Sequence, residues 1–86
     1  MREAQIQTAI RNKLIQSGYF VVKLITCSIN GMPDLLAIRD GQYYLIEVKK
    51  KGGVLSKIQK VIHFRLREQG ASVIVAYHPS DINHLL

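Results

Sequence analysis

Apolar positions near the start of the chain recur at helical spacing. Ile10 and Leu14, with Ile6 beside them, share a face with Glu3 and Gln7 and predict a helix from about Glu3 to Gln16, closed by Ser17-Gly18. From Tyr19 to Thr26 the pattern turns β-branched and aromatic, which predicts a strand. Ser28 to Pro33 reads as a loop, because it carries Asn30-Gly31 and a proline. Asp34 to Arg39 and Tyr43 to Lys49 form two further strands, joined by Asp40-Gly41, a strong two-residue hairpin turn. A basic loop, Lys50-Lys51-Gly52-Gly53, leads to a second helix over Ser56 to Gln69, with Leu55, Ile58, Ile62 and Leu66 on its apolar side and Gly70 as its stop. Ser72 to Tyr77 is a last strand whose apolar run suits a buried, parallel neighbour. Pro79-Ser80 then breaks the chain before a short helical turn over Asp81 to Leu86. The order is αβββαβ, an α/β fold with a mixed sheet flanked by helices.

The hairpin carries the first chemistry. If Arg39 faces Gln42, the pairing runs outward residue by residue and sets Asp34 opposite Glu47. Directly opposed residues have Cβ atoms about 4.5–5.5 Å apart. Lys49 points to the same face as Glu47, two residues along. Two carboxylates at that separation repel, so a positive partner is expected. A hard divalent cation such as Mg²⁺ binds through one or two carboxylates and keeps several waters. Lys49 beside such a cation is placed to orient or deprotonate a water, which makes phosphodiester hydrolysis a physically sensible outcome. The plainer reading is a surface hairpin in which Lys49 simply pairs with one of the acids.

Charge sharpens the choice. Twelve Lys and Arg against six Asp and Glu leave a net charge of +6 on 86 residues, which favours a polyanionic partner such as nucleic acid. Lys50 and Lys51, with Lys57 and Lys60 following, put cations beside the two acids and are candidates for phosphate contacts. At 48% apolar residues, disorder is not expected, and the length bounds the chain at one domain, residues 1–86. No apolar run reaches the roughly 18 residues a membrane span needs. The start reads as a polar helix rather than a signal peptide. Cys27, the only cysteine, cannot form an intrachain disulfide, which points to a reducing, cytoplasmic setting. The Gly52-Gly53 loop lacks the phosphate-binding G-x-x-x-x-G-K pattern, so no nucleotide cofactor is expected.

Pro33-Asp34, a gap of twelve residues, and Glu47-Val48-Lys49 resemble the PD-(D/E)xK nuclease motif. More narrowly, Gly31-Met32-Pro33-Asp34-Leu35-Leu36, the Tyr43 to Lys49 strand and Leu55-Ser56-Lys57-Ile58-Gln59 resemble the VRR-NUC family, and the resemblance runs from Glu3 to Tyr77. The Val-Arg-Arg tripeptide of the family name does not occur here, and Lys50-Lys51 stands where relatives often carry Gly or Pro. The resemblance implies a restriction-endonuclease-like core and a metal-dependent endonuclease. It implies Mg²⁺ or Mn²⁺ held by Asp34 and Glu47, with the Val48 carbonyl and Glu3 as further ligands, and a catalytic set of Asp34, Glu47, Lys49 and Gln59. Stand-alone domains of this kind resemble junction-resolving enzymes, which implies a homodimer acting on branched DNA such as four-way junctions. It also fits a phage protein acting in the host cytoplasm.

Several residues carry two readings. Glu3 is either a ligand or a helix-start acid that favours the macrodipole. Gln59 either reaches the site or closes an S-x-x-Q capping box with Ser56. Gln7 is a weaker neighbour of Glu3. His63 reads as a surface helix residue, His78 as a turn residue, and Cys27 as a small, partly buried filler. Tyr43 and Tyr44 are expected on opposite faces of the hairpin. The rival function from another class is a non-catalytic nucleic-acid-binding module that retains the nuclease fold. An RNA-directed or restriction-type nuclease and a basic structural protein are the remaining readings.

Overall fold

The computed structural model describes residues 1–86. Helix α1 spans Glu3–Gln16, strand β1 Phe20–Lys23, β2 Leu35–Arg39, β3 Gln42–Val48, helix α2 Lys57–Glu68 and β4 Val73–Ala76, and a 3-10 helix closes the chain at Pro79–Leu85. The four strands lie in sequence order, with β1–β2 and β2–β3 antiparallel and β3–β4 parallel. The parallel pair is joined through α2, the crossover that such a pair requires.

Alternation along the strands divides the sheet into two faces. Leu35, Ala37, Ile46, Val48 and Ala76 turn to one side and meet Ile6, Ile10 and Leu14 of α1 and Ile82 and Leu85 of the 3-10 helix in one buried core. Tyr19 joins them, its ring edge-on to Tyr44 at 6.3 Å between centroids and its hydroxyl donating to the Leu85 carbonyl. The other face carries Asp34, Leu36, Tyr43, Leu45 and Glu47, with α2 over its β4 side. Tyr43 and Tyr44 therefore do take opposite faces. The hairpin pairs Arg39 with Gln42 and Leu35 with Ile46, the expected register. Asp40 and Gly41 both have positive φ, 52° and 76°, as a two-residue turn between twisted strands demands.

Four expectations are corrected. The first strand is shorter than Tyr19 to Thr26, because the chain leaves β2 soon after the Leu24 N–H bonds to the Asp34 carbonyl. Cys27 lies in that departing loop and is exposed, not a filler. The last helical segment starts at Pro79 rather than after it, since proline's fixed φ suits a first helical position and Asp81 Oδ2 accepts from the Tyr77 and His78 N–H groups. His63 is buried, and Ile58 is half exposed, so the inward face of α2 is turned toward Gln59, Ile62, His63 and Leu66. No helix is long and apolar enough to cross a membrane.

Candidate metal and active site

The hairpin ladder ends at Leu35–Ile46, and the next bond departs from it. The Asp34 N–H donates to the Ile46 carbonyl at 3.0 Å, one residue out of the hairpin's register. Pro33, buried and without an N–H, bends the chain away at this point. Val48 is left without a backbone acceptor from β2, and Asp34 Oδ2 accepts its N–H at 2.7 Å. The backbone of β3 thus fixes the Asp34 carboxylate.

Glu47 lies beside it and is only 1% exposed. Its Oε1 is 3.1 Å from Nε2 of His63, reaching in from α2, and His63 is likewise 1% exposed. Burial, then hydrogen bonding to Asp34 and the Asp34 charge, raise Glu47 to about 8, with Glu3 adding to the effect and Lys49 opposing it. Burial and the nearby Arg67 hold His63 below its ordinary value of 6.5, so its imidazole is neutral at physiological pH. Lys49, half buried, lies close enough to act on both groups but forms no ion pair.

The donor set fits a hard cation. Of the four oxygens of the acid pair, one on each residue is committed to a protein group, Asp34 Oδ2 to Val48 and Glu47 Oε1 to His63. Asp34 Oδ1 and Glu47 Oε2 are bound by no other residue; in the metal-free fold the raised Glu47 keeps its proton and bonds to Asp34, and a cation would take that proton's place between two hard oxygen donors. No set of three His, Cys, Asp or Glu side chains converges here, so a bound ion would draw its other ligands from backbone oxygens and water. This excludes a closed structural zinc site and suits Mg²⁺ or Mn²⁺.

The fold that holds this pair exists in a solved protein. The chain is similar to a solved VRR_NUC domain at 28% sequence identity with a TM-score of 0.87, over 99% of this chain and 94% of that one. The chain has the VRR_NUC fold, and its sequence is similar to that domain over nearly its whole length. No protein-family profile matches its sequence, and no curated protein does.

Around this acid pair, the other expected residues divide. Glu3, at the start of α1, is half buried and near enough for its charge to bear on Glu47. Gln59 closes the capping box: its Oε1 accepts from the Ser56 N–H at 2.9 Å, and Ser56 Oγ accepts from the Gln59 N–H at 3.2 Å. Gln59 also sits one turn before His63 on the inward face of α2, and its amide nitrogen donates to no group of the fold. Lys50, Lys51, Lys57 and Lys60 are exposed and free of ion pairs, as phosphate contacts require. Arg67 is tied to the Val73 carbonyl, and Arg65 lines an apolar cleft of about 220 Å³ with Ile29, Met32 and Leu66.

His63 is the residue the chain pattern hid. Leu55, Ile58, Ile62 and Leu66 make a plausible apolar stripe, yet Gln59, Ile62, His63 and Leu66 satisfy the same i, i+3, i+4, i+7 spacing. A stripe with two polar members was the signal that α2 faces a polar site.

Proposed function

We propose that this VRR-NUC protein is a metal-dependent, structure-selective DNA endonuclease that hydrolyses phosphodiester bonds, with branched DNA such as four-way junctions as its preferred substrate. The observation that carries the proposal is the Asp34–Glu47 contact, two acids held together in a basic protein, each with one oxygen bound by neither Val48 nor His63. Asp34 and Glu47 would hold Mg²⁺ or Mn²⁺, with the Val48 carbonyl and Glu3 as further ligands. Such an ion, when bound, supplies Lewis acidity toward a phosphate oxygen and acidifies water.

The remaining work falls to the chain. Lys49, on the face of the acids, orients the attacking water and takes up its proton or stabilises its negative form. Gln59 positions that water or a phosphate oxygen through its free amide end. Lys50, Lys51, Lys57 and Lys60 bind the DNA backbone through charge, which gives affinity without base readout. Backbone contacts of this kind leave selectivity to the shape of the DNA.

A two-fold homodimer would set two such sites against opposite strands of a junction. Phe20, Ile38 and Tyr43 form one cross-strand row on the sheet face opposite α1, and they are 69%, 38% and 47% exposed. That open apolar row supports association with a second copy. Action in the cytoplasm completes the reading.

The test is cleavage of labelled duplex, flap and four-way DNA with and without Mg²⁺ or Mn²⁺. Metal-dependent products that favour the branched substrates are expected. Equal cleavage of plain duplex would refute the structural preference. Binding without products, indifferent to metal, would favour a non-catalytic nucleic-acid-binding module.

A further inference from the structure

We infer that His63 is a positioning residue for the metal site, holding Glu47 by one oxygen so that the other is presented to the cation. The inference rests on the metal-dependent reading above.

Its basis is geometric. His63 and Glu47 are each 1% exposed, and Nε2 and Oε1 are 3.1 Å apart. The second ring nitrogen, Nδ1, is buried with no partner. Of the two neutral tautomers, the one with its proton on Nε2 gives the only ring N–H an acceptor, and it leaves at Nδ1 a bare lone pair. The other tautomer would strand a buried N–H, the costlier arrangement. The ring therefore donates from Nε2 to Glu47 Oε1.

This bond completes a symmetry within the site. Asp34 is fixed from the backbone side, by the Val48 N–H, and Glu47 from the helix side, by His63. Each acid then offers one oxygen in a set direction. Without His63, Glu47 would keep its place on β3 but lose the donor that stops its carboxylate from rotating. Partners that orient metal ligands in this way typically contribute about 10- to 100-fold in metal affinity.

The loop before Asp34 supports the position of α2. At Gly31, φ is +91°, and an added Cβ would lie 2.9 Å from the Ile58 carbonyl oxygen and 3.0 Å from Ile62. The loop and the helix are in close contact, so α2 delivers His63 to Glu47 from a fixed height.

The experiment is Mn²⁺ titration by calorimetry on the DNA-free protein, comparing wild type with His63→Leu and His63→Gln, with thermal unfolding recorded for each. Leucine fills the space without a donor, and glutamine keeps an N–H. The expected result is a Mn²⁺ dissociation constant raised about 10- to 100-fold by His63→Leu and only a few-fold by His63→Gln. In cleavage assays, His63→Leu should raise the Mg²⁺ concentration needed for half-maximal rate more than it lowers the rate at saturating metal. A folded His63→Leu that binds Mn²⁺ as tightly as wild type overturns the inference and leaves the nuclease reading intact. If His63→Leu does not fold, His63→Asn, too short to reach Oε1, replaces it, and equal affinity of the Asn and Gln variants overturns the inference. A wild-type protein that binds no Mn²⁺ overturns the metal-dependent reading and this inference with it.

Discussion

The two faces of the sheet are made by the same strands and serve opposite ends. On the α1 side, Leu35, Ala37, Ile46 and Val48 are wholly buried among apolar neighbours. On the α2 side, Asp34 and Glu47 meet each other, with Lys49 within reach and His63 above. Strand β3 alternates between the two: Tyr44, Ile46 and Val48 face the core, while Glu47, and Lys49 just past the strand's end, face the polar side. The contrast teaches that a small chain can place a costly acid pair only where the opposite face of the same strand is dry and well packed. Burial and the Asp34 neighbour raise the Glu47 pKa, so the polar face holds a charge only at a cost.

That contrast can be broken from either side. The largest effect should come from the polar face: Lys49→Ala lowers the cleavage rate by about 100-fold or more, while the unfolding midpoint in denaturant hardly moves. Comparable cleavage by the variant and wild type on labelled four-way DNA would remove Lys49 from the chemistry. On the dry face, Ile46→Ala should cost about 2–5 kcal/mol of stability, measured by urea unfolding. The purified folded fraction should still bind Mn²⁺.

The third test uses pH. Glu47 titrates near 4.5 in the unfolded chain and at about 8 in the metal-free fold. The fold therefore binds the extra proton, its contribution is complete below pH 4.5, and it is lost as pH rises through about 8. Between about pH 6.5, the ordinary value for His63, and about pH 8, stability of the metal-free protein should fall with pH and then level off. Glu47→Gln should flatten that decline, as read by urea unfolding across the window. The smallest effect belongs to the helix end: Ser56→Ala should cost about 1 kcal/mol, by the same measurement, through loss of the cap it shares with Gln59.

Much of this was legible in the chain. Helix α1 has the expected bounds, and Asp40-Gly41 dictated the hairpin register, because a two-residue turn with positive φ leaves little choice. That register brings Asp34 beside Glu47, although the two are not a ladder pair as expected, because the pairing slips by one residue at Asp34. What the chain concealed depends on long-range packing. The one-residue departure at Asp34 arises where Pro33 turns the chain away, and the rotation of α2 depends on what lies beneath it. His63 looked like a surface residue because its partner is sixteen positions away in sequence and on a different element. Gln59 shows the reverse case, where local capping and a place near the site coexist on one side chain.

The turn at Asp40-Gly41 lies at the far end of β2 and β3 from the acids, about 17 Å away at the usual rise of a strand. It nevertheless works as a ruler for them. One residue added there would slide β3 by a single step and send Glu47 into the dry core, with Ile46 taking its place before His63. The spacing of the reactive groups is thus metered by a bend that never touches them, and length at that bend is the quantity this fold is least free to vary.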